Sequence, residues 1–255
     1  VRTIADERSA AFIALGMAQQ LKEPVVLVCT SGSAALNYFP AVAEAFFQQI
    51  PLLVLTADRP PEWVDQWDGQ TIFQEEVYGK HVKKSFRFPD SFAHPDQVRH
   101  AQRISNEAIL LSRQFPAGPV HINIPLREPF YPEEGETFHF PKHPPVVTLE
   151  SSEVRLSDGA LQKLKSELTS FRRILLVPGQ QESNPSLLSI VERLAQNQQV
   201  VVVADTLSNL QGKGTITLHD HWLGREELHA VLAPDLVISF GKSIISKSLK
   251  LFLRK

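Results

Sequence analysis

The feature that most constrains this chain is a repeated alternation of a short unbroken apolar run, a turn and an amphipathic helix. The runs EPVVLVCT (23–30), IPLLVLTA (50–57) and GPVHINIP (118–125) are largely apolar and rich in β-branched residues, and SFRFP (85–89) is a shorter run of strand type. Between them, SAALNYFPAVAEAFFQQ (33–49) has the three-and-four apolar spacing of a helix, which Pro40 is expected to kink or divide. Residues 94–115 set Val98, Ala101, Ile104, Ala108 and Leu111 on one helical face. Strands that are apolar throughout and alternate with helices predict an α/β fold, a parallel sheet with helices on both faces.

The rhythm breaks at 131–153, where prolines and acids dominate, and resumes afterwards. A chain of 255 residues exceeds the usual single-domain size, so this stretch is expected to link two domains, 1–148 and 149–255. In the second, residues 157–171 are expected to be a helix capped by Ser157 or Asp158, with a further helix at 184–197. Strands are expected at 172–179, 199–206 and 235–242. Three strands are too few for a complete doubly wound sheet. The chain lacks an initial methionine and stops inside the helical pattern KSLKLFLRK, so both ends are expected to be cut from a longer protein.

Charge excludes one class of function. Lys and Arg number 26 against 28 for Asp and Glu, a formal net charge of −2, without the basic surplus that nucleic-acid binding draws on. The cluster His81-Val82-Lys83-Lys84 is expected to be a solvated strand edge. No apolar stretch approaches the ~20 residues needed to cross a bilayer. The single Cys29 lies within an apolar run, as expected of a buried, inert thiol in a reducing cytoplasm.

The common nucleotide fingerprints are missing: no G-x-G-x-x-G follows a strand, and no G-x-x-x-x-G-K-[ST] occurs. QGKGT (211–215) lacks the phosphate-loop spacing, and His219-Asp220-His221 lacks a third metal ligand, so both are expected to be loops. Three stretches leave two readings open. The turn CTSGSAALNYFP (29–40) joins a strand to a helix, where free backbone N–H groups can face a ligand and Gly32 lets it approach, yet on local rules a simple tight turn is the favoured reading. In TADRPPEW (56–63) two prolines stiffen the chain after Arg59, whose guanidinium suits a carboxylate ligand; the alternative is a surface ion pair with Asp58 or Glu62. Glu7 is either an acid stabilised by the first turn of a helix or a carboxylate aimed into a site, with Asp6 available as the cap.

Taken in order, residues 6–46, IPLLVLTADRPPEW (50–63), GQTIFQEEVYGKHV (69–82) and GPVHINIPLREPFY (118–131) resemble one family. It is the 2-succinyl-5-enolpyruvyl-6-hydroxy-3-cyclohexene-1-carboxylate synthase (MenD) family, thiamine-diphosphate transferases of menaquinone biosynthesis. The resemblance is specific from about residue 4 to 131, above all in TSG-x-A…N-x-x-PA and LTADRPPE, and continues more weakly to FGKSIISKSL (240–249). It implies a pyrimidine-binding domain followed by part of a Rossmann-like central domain. The family's N-terminal Ser-Arg-Ser segment and its diphosphate-binding domain, with the Mg²⁺ ligands, are expected outside this chain, which is accordingly expected to be inactive alone and to hold no metal.

The resemblance also implies roles. Glu7 falls on the glutamate that hydrogen-bonds the cofactor's aminopyrimidine N1′ and so activates it, with Thr30, Gly32 and Asn37 beside the cofactor. Arg59, Gln70 and Lys247 fall on residues that hold the substrates, 2-oxoglutarate and isochorismate. Two departures weaken the match: Ser248 stands where an arginine is frequent, and Gly69 where some members have asparagine. A homodimer or homotetramer of the intact enzyme is implied, with each site shared between two subunits. The alternatives are another thiamine-diphosphate 2-oxoacid decarboxylase or carboligase, or a non-catalytic binding module on the same fold.

Overall fold

The computed structural model describes residues 1–128, 131, 134–135, 137, 144–150 and 154–254. Much of the expected linker 131–153 therefore lies outside the described residues. The chain forms two compact units, Val1–Ser151 and Ser152–Lys255.

In the first unit Asp6 caps helix α1 (Glu7–Leu21), its carboxylate accepting from Ser9 N at 2.7 Å. Strand β1 (Val25–Cys29) follows, then α2 (Ser33–Asn37) and α3 (Phe39–Gln48). Pro40 divides the expected 33–49 helix in two: it has no N–H to continue the α2 ladder, but at the second position of α3 it forfeits no bond. Strands β2 (Leu52–Asp58) and β3 (Ser85–Arg87), helix α4 (Pro95–Arg113) and strand β4 (Pro119–Pro125) complete the unit.

All strand pairs of this sheet are parallel, in the order β1-β2-β4-β3. The register Cys29↔Thr56↔Asn123 brings the carboxyl ends of β1, β2 and β4 to one edge. Alternate residues in the first half of β2 serve two cores, which is why Leu52–Leu55 is apolar without a break. Leu52 and Val54 pack with Ala11, Ala14 and Ala18 of α1 and Ala41, Val42 and Ala45 of α3, while Leu53 packs with Ile104 and Ala108 of α4 and Val120 and Ile122 of β4. The edge strand β1 departs from the expected two-sided burial: Val26 and Val28 are 50% and 67% exposed, because α4 packs over β2 and β4 rather than β1.

The second unit contains α5 (Asp158–Leu168), capped by Ser157, then β5 (Ile174–Pro178), α6 (Pro185–Ala195) capped by Asn184, and β6 (Val200–Val203). It continues through β7 (Thr215–Ile216), α7 (Asp220–Leu223), α8 (His229–Leu232), β8 (Leu236–Phe240) and α9 (Lys247–Phe252). Its parallel sheet runs β7-β6-β5-β8, four strands where three were expected. The additional strand, two residues long, emerges from QGKGT and is too short to leave a periodic signal. The expected loop at 219–221 is overturned too, since Asp220 and His221 begin α7.

The cluster at 81–84 is more than a solvated edge. Val82 is buried, and Lys83 Nζ donates to Leu111 O and Gln114 O at 2.5 and 2.6 Å, closing the end of α4. Burial lowers the Lys83 pKa. Among the described residues no helix is long and apolar enough to cross a membrane.

Candidate active site at the carboxyl edge of the first sheet

Because Asp6 takes the cap, Glu7 at the first position of α1 keeps its side chain free of helix-terminus duties. Its half-buried carboxylate lies beside the end of β1, close enough for its charge to act on Cys29 and Tyr38. Burial, reinforced by Glu7, pushes the Cys29 thiol up to about 12, so the thiol stays protonated; the Tyr38 phenol is raised by burial and the same neighbours. Tyr38 donates to Val28 O at 2.8 Å and lines the wall under Glu7. Among the described residues Glu7 accepts no hydrogen bond and forms no ion pair.

Gly32 corrects the first reading of its turn. It sits at φ +85°, ψ −146°, a conformation open to glycine, but its N–H donates to Gln74 Oε1 at 3.0 Å and is not free for a ligand. A Cβ built on Gly32 would lie 3.0 Å from the Gln70 backbone carbonyl, so the close approach glycine permits is taken by the chain itself. Thr30 and Asn37, on either side, are exposed.

Arg59 leaves the end of β2 half-buried, and neither expected surface partner holds it. Asp58 instead accepts the Arg59 backbone N–H at 2.8 Å, and Glu62 pairs with Arg127. The guanidinium turns to the following loop: Nε lies 3.3 Å from Asp68 Oδ2 and Nη2 donates to Gly69 O at 3.3 Å. The Nε–H does not point at the Asp68 oxygen, leaving a buried donor without a hydrogen bond. Gln70, at φ +57° and exposed, follows directly. Glu7, Gly32, Arg59 and Gln70 thus share the carboxyl edge of one sheet, where parallel α/β folds place ligands. Lys247 is in the second unit, exposed at the start of α9, whose cap Ser246 donates to Asp220 Oδ1 at 2.5 Å.

Beneath these residues runs a buried polar chain that the sequence reading missed. His121 Nδ1 meets Ser85 Oγ at 2.7 Å and its Nε2 meets Thr56 Oγ1 at 2.8 Å. Thr56 donates to Asn123 Oδ1 at 2.9 Å, and Asn123 Nδ2 donates to Asp58 Oδ2 at 2.7 Å. Since the threonine proton goes to Asn123, Thr56 accepts from His121, which fixes the Nε2–H tautomer and makes Ser85 the donor to Nδ1. Burial pushes His121 down to about 4, so the ring is neutral, as the chain requires. The signal was available: Thr56, His121 and Asn123 are polar residues inside runs that are otherwise apolar.

Asp58, Arg59, Phe73, Gln74, Arg87 and Asn123 line a cleft of about 340 Å³ at this edge. A separate apolar cavity of about 280 Å³ in the second unit, walled by residues such as Val203, Trp222 and Phe252, includes His219 but none of the residues expected to hold cofactor or substrate. Among the described residues no group of three or more His, Cys, Asp or Glu could hold a metal ion.

The family described as "Thiamine pyrophosphate enzyme, N-terminal TPP binding domain" matches residues 1–82. The 2-succinyl-5-enolpyruvyl-6-hydroxy-3-cyclohexene-1-carboxylate synthase of Cytophaga hutchinsonii is 47% identical over 257 residues, covering 100% of this chain and 45% of the relative. The synthase of the same name from Christiangramia forsetii is 38% identical over 272 residues, covering 99% of this chain and 46% of its own length. That of Listeria monocytogenes is 38% identical over 262 residues, covering 98% and 44%. The chain spans somewhat under half the length of these curated relatives. The similarity to this synthase family runs the full length of the chain, and its first 82 residues are similar to the N-terminal domain of thiamine pyrophosphate enzymes.

Proposed function

We propose that the protein carrying this chain decarboxylates 2-oxoglutarate and adds the resulting four-carbon unit to isochorismate, using thiamine diphosphate. One observation supports this most: a half-buried carboxylate without a partner, Glu7, shares a sheet edge with Arg59 and Gln70, two side chains suited to carboxylate and hydroxyl groups. Thiamine diphosphate, when bound, supplies the carbon nucleophile and electron sink that the decarboxylation needs.

In this reading Glu7 holds a proton against the pyrimidine N1′, and the apolar wall of Tyr38 and Cys29 limits the water that competes for it. Arg59 exchanges its loose contact with Asp68 for a substrate carboxylate, a stronger and bidentate partner. Gln70 orients a neighbouring oxygen of the substrate. Thr30, Gly32 and Asn37 belong to the turn that flanks the cofactor, and Lys247 of the second unit supplies a further cation for substrates that carry several carboxylates.

Magnesium, which the family resemblance also implies, does not fit the described residues of this chain, which offer no ligand cluster. Its ligands, with those of the diphosphate, are assigned to the family's diphosphate-binding domain. A homodimer or homotetramer accompanies this reading, because it places the two halves of each site on different subunits.

The test is turnover by the full-length protein with 2-oxoglutarate alone and then with isochorismate present. Succinyl transfer to isochorismate is expected; decarboxylation without transfer would favour another thiamine-diphosphate enzyme, and neither reaction would leave a binding module.

A further inference from the structure

We infer that Gln74 is a positioning residue that fixes the cofactor turn and the substrate-binding loop to one another. The inference rests on the proposed function for its kinetic consequences, but not for its geometry. Gln74 is 1% exposed, in the long connection between β2 and β3, and its amide reaches three separate pieces of backbone and side chain. Its Oε1 accepts from Gly32 N at 3.0 Å, while Nε2 donates to Ala57 O at 2.7 Å and to Asn123 Oδ1 at 2.9 Å. One side chain therefore binds the turn after β1, the end of β2 and the end of β4.

The same connection carries Arg59's contacts at Asp68 and Gly69, and Gln70, whose backbone rests against Gly32. Tyr78, fully buried, fastens its far side by donating to Ala35 O of α2 at 2.7 Å. Between these fixed points the distance from the Gly32 turn to Arg59 and Gln70 is set by Gln74. A substitution that breaks its bonds takes a buried partner from Gly32 N and Ala57 O and leaves Asn123 Oδ1 with Thr56 alone, and the loop shifts to satisfy them with water. Small misplacements of substrate-holding groups act on substrate binding with large effect.

A purely structural role and a positioning role predict different results. In the full-length protein, Gln74→Met keeps the volume and removes all three bonds, and Gln74→Glu keeps the acceptor for Gly32 but loses the Nε2 donor. Ser85→Ala breaks the far end of the same buried chain without touching the edge residues. The inference predicts that Gln74→Met raises KM for the carboxylate substrates about tenfold or more with kcat changed far less. It predicts that hydrogen exchange at Gly32 N quickens by about tenfold or more in Gln74→Met and less in Gln74→Glu. Ser85→Ala should lower thermal stability and leave KM in place.

An unchanged KM in a folded Gln74→Met, or a KM raised equally by Ser85→Ala, overturns the inference. Where Gln74→Met does not fold, Gln74→Glu decides by the same KM comparison with Ser85→Ala. If the wild-type protein does not turn over, the functional reading falls separately, and exchange decides: unaltered protection at Gly32 and in residues 69–73 of either Gln74 variant overturns the linkage.

Discussion

Acidification should loosen the first sheet through His121, and the size of the effect follows from its surroundings. The ring is fully buried between Ser85 and Thr56, and burial brings its pKa to about 4 from an ordinary 6.5. Above the unfolded value both states are neutral and the histidine contributes no pH dependence. As pH falls from 6.5 toward 4 the unfolded chain takes up a proton that the native sheet refuses, so stability is lost across that window. At 1.36 kcal/mol per pH unit the full loss is roughly 3 kcal/mol, and most of it, about 2.5 kcal/mol, is reached near pH 4.5.

The assay is urea unfolding at about pH 7.5 and about pH 4.5, followed by the Tyr78 ring resonances so that the first unit alone is read. That ring stands edge-on to His121 with centroids 4.9 Å apart. In His121→Gln the difference between the two pH values should shrink by about 2.5 kcal/mol, the titrating carboxylates cancelling between variant and parent. A His121 resonance titrating with a midpoint above about 6, or an unchanged pH difference in the variant, would refute the reasoning.

Gly32→Ala places a Cβ 3.0 Å from the Gln70 carbonyl at φ +85°, and should destabilise the first unit by roughly 2–3 kcal/mol in thermal unfolding while raising KM. Lys83→Met removes the two bonds that close α4, with an expected cost of about 1 kcal/mol and faster amide exchange near Gln114. Ser246→Ala removes the α9 cap, which accepts from Leu249 N at 3.0 Å, and should cost about 1 kcal/mol in the second unit, read by hydrogen exchange.

Much of this architecture was legible because packing and sequence share a period. The run 50–57 is apolar from Ile50 to Leu55 since β2 feeds a core on each face, and the helix starts announce themselves in Asp6 and Ser157. What escaped was short or long-range. Strand β7 is two residues, and α7 is four, below the length at which periodicity speaks. The Gly32 turn looked open from sequence because its partners, Gln70 and Gln74, come from a loop some forty positions away. Arg59 was placed at the right edge by its prolines, yet its guanidinium partner, Asp68, could not be chosen over Asp58 or Glu62 by proximity in sequence. Asp6 was expected to take the cap from Glu7, and its bond from Ser9 N shows that it does.

That separation is the centre of the account, and proton exchange at the C2 carbon of bound thiamine diphosphate tests it most directly. In the full-length protein, Glu7→Gln should slow this exchange by about 100-fold or more, while Asp6→Asn, which keeps the cap, leaves it near the parent rate. Equal exchange rates in Glu7→Gln and the parent, with the cofactor bound in both, would contradict the account.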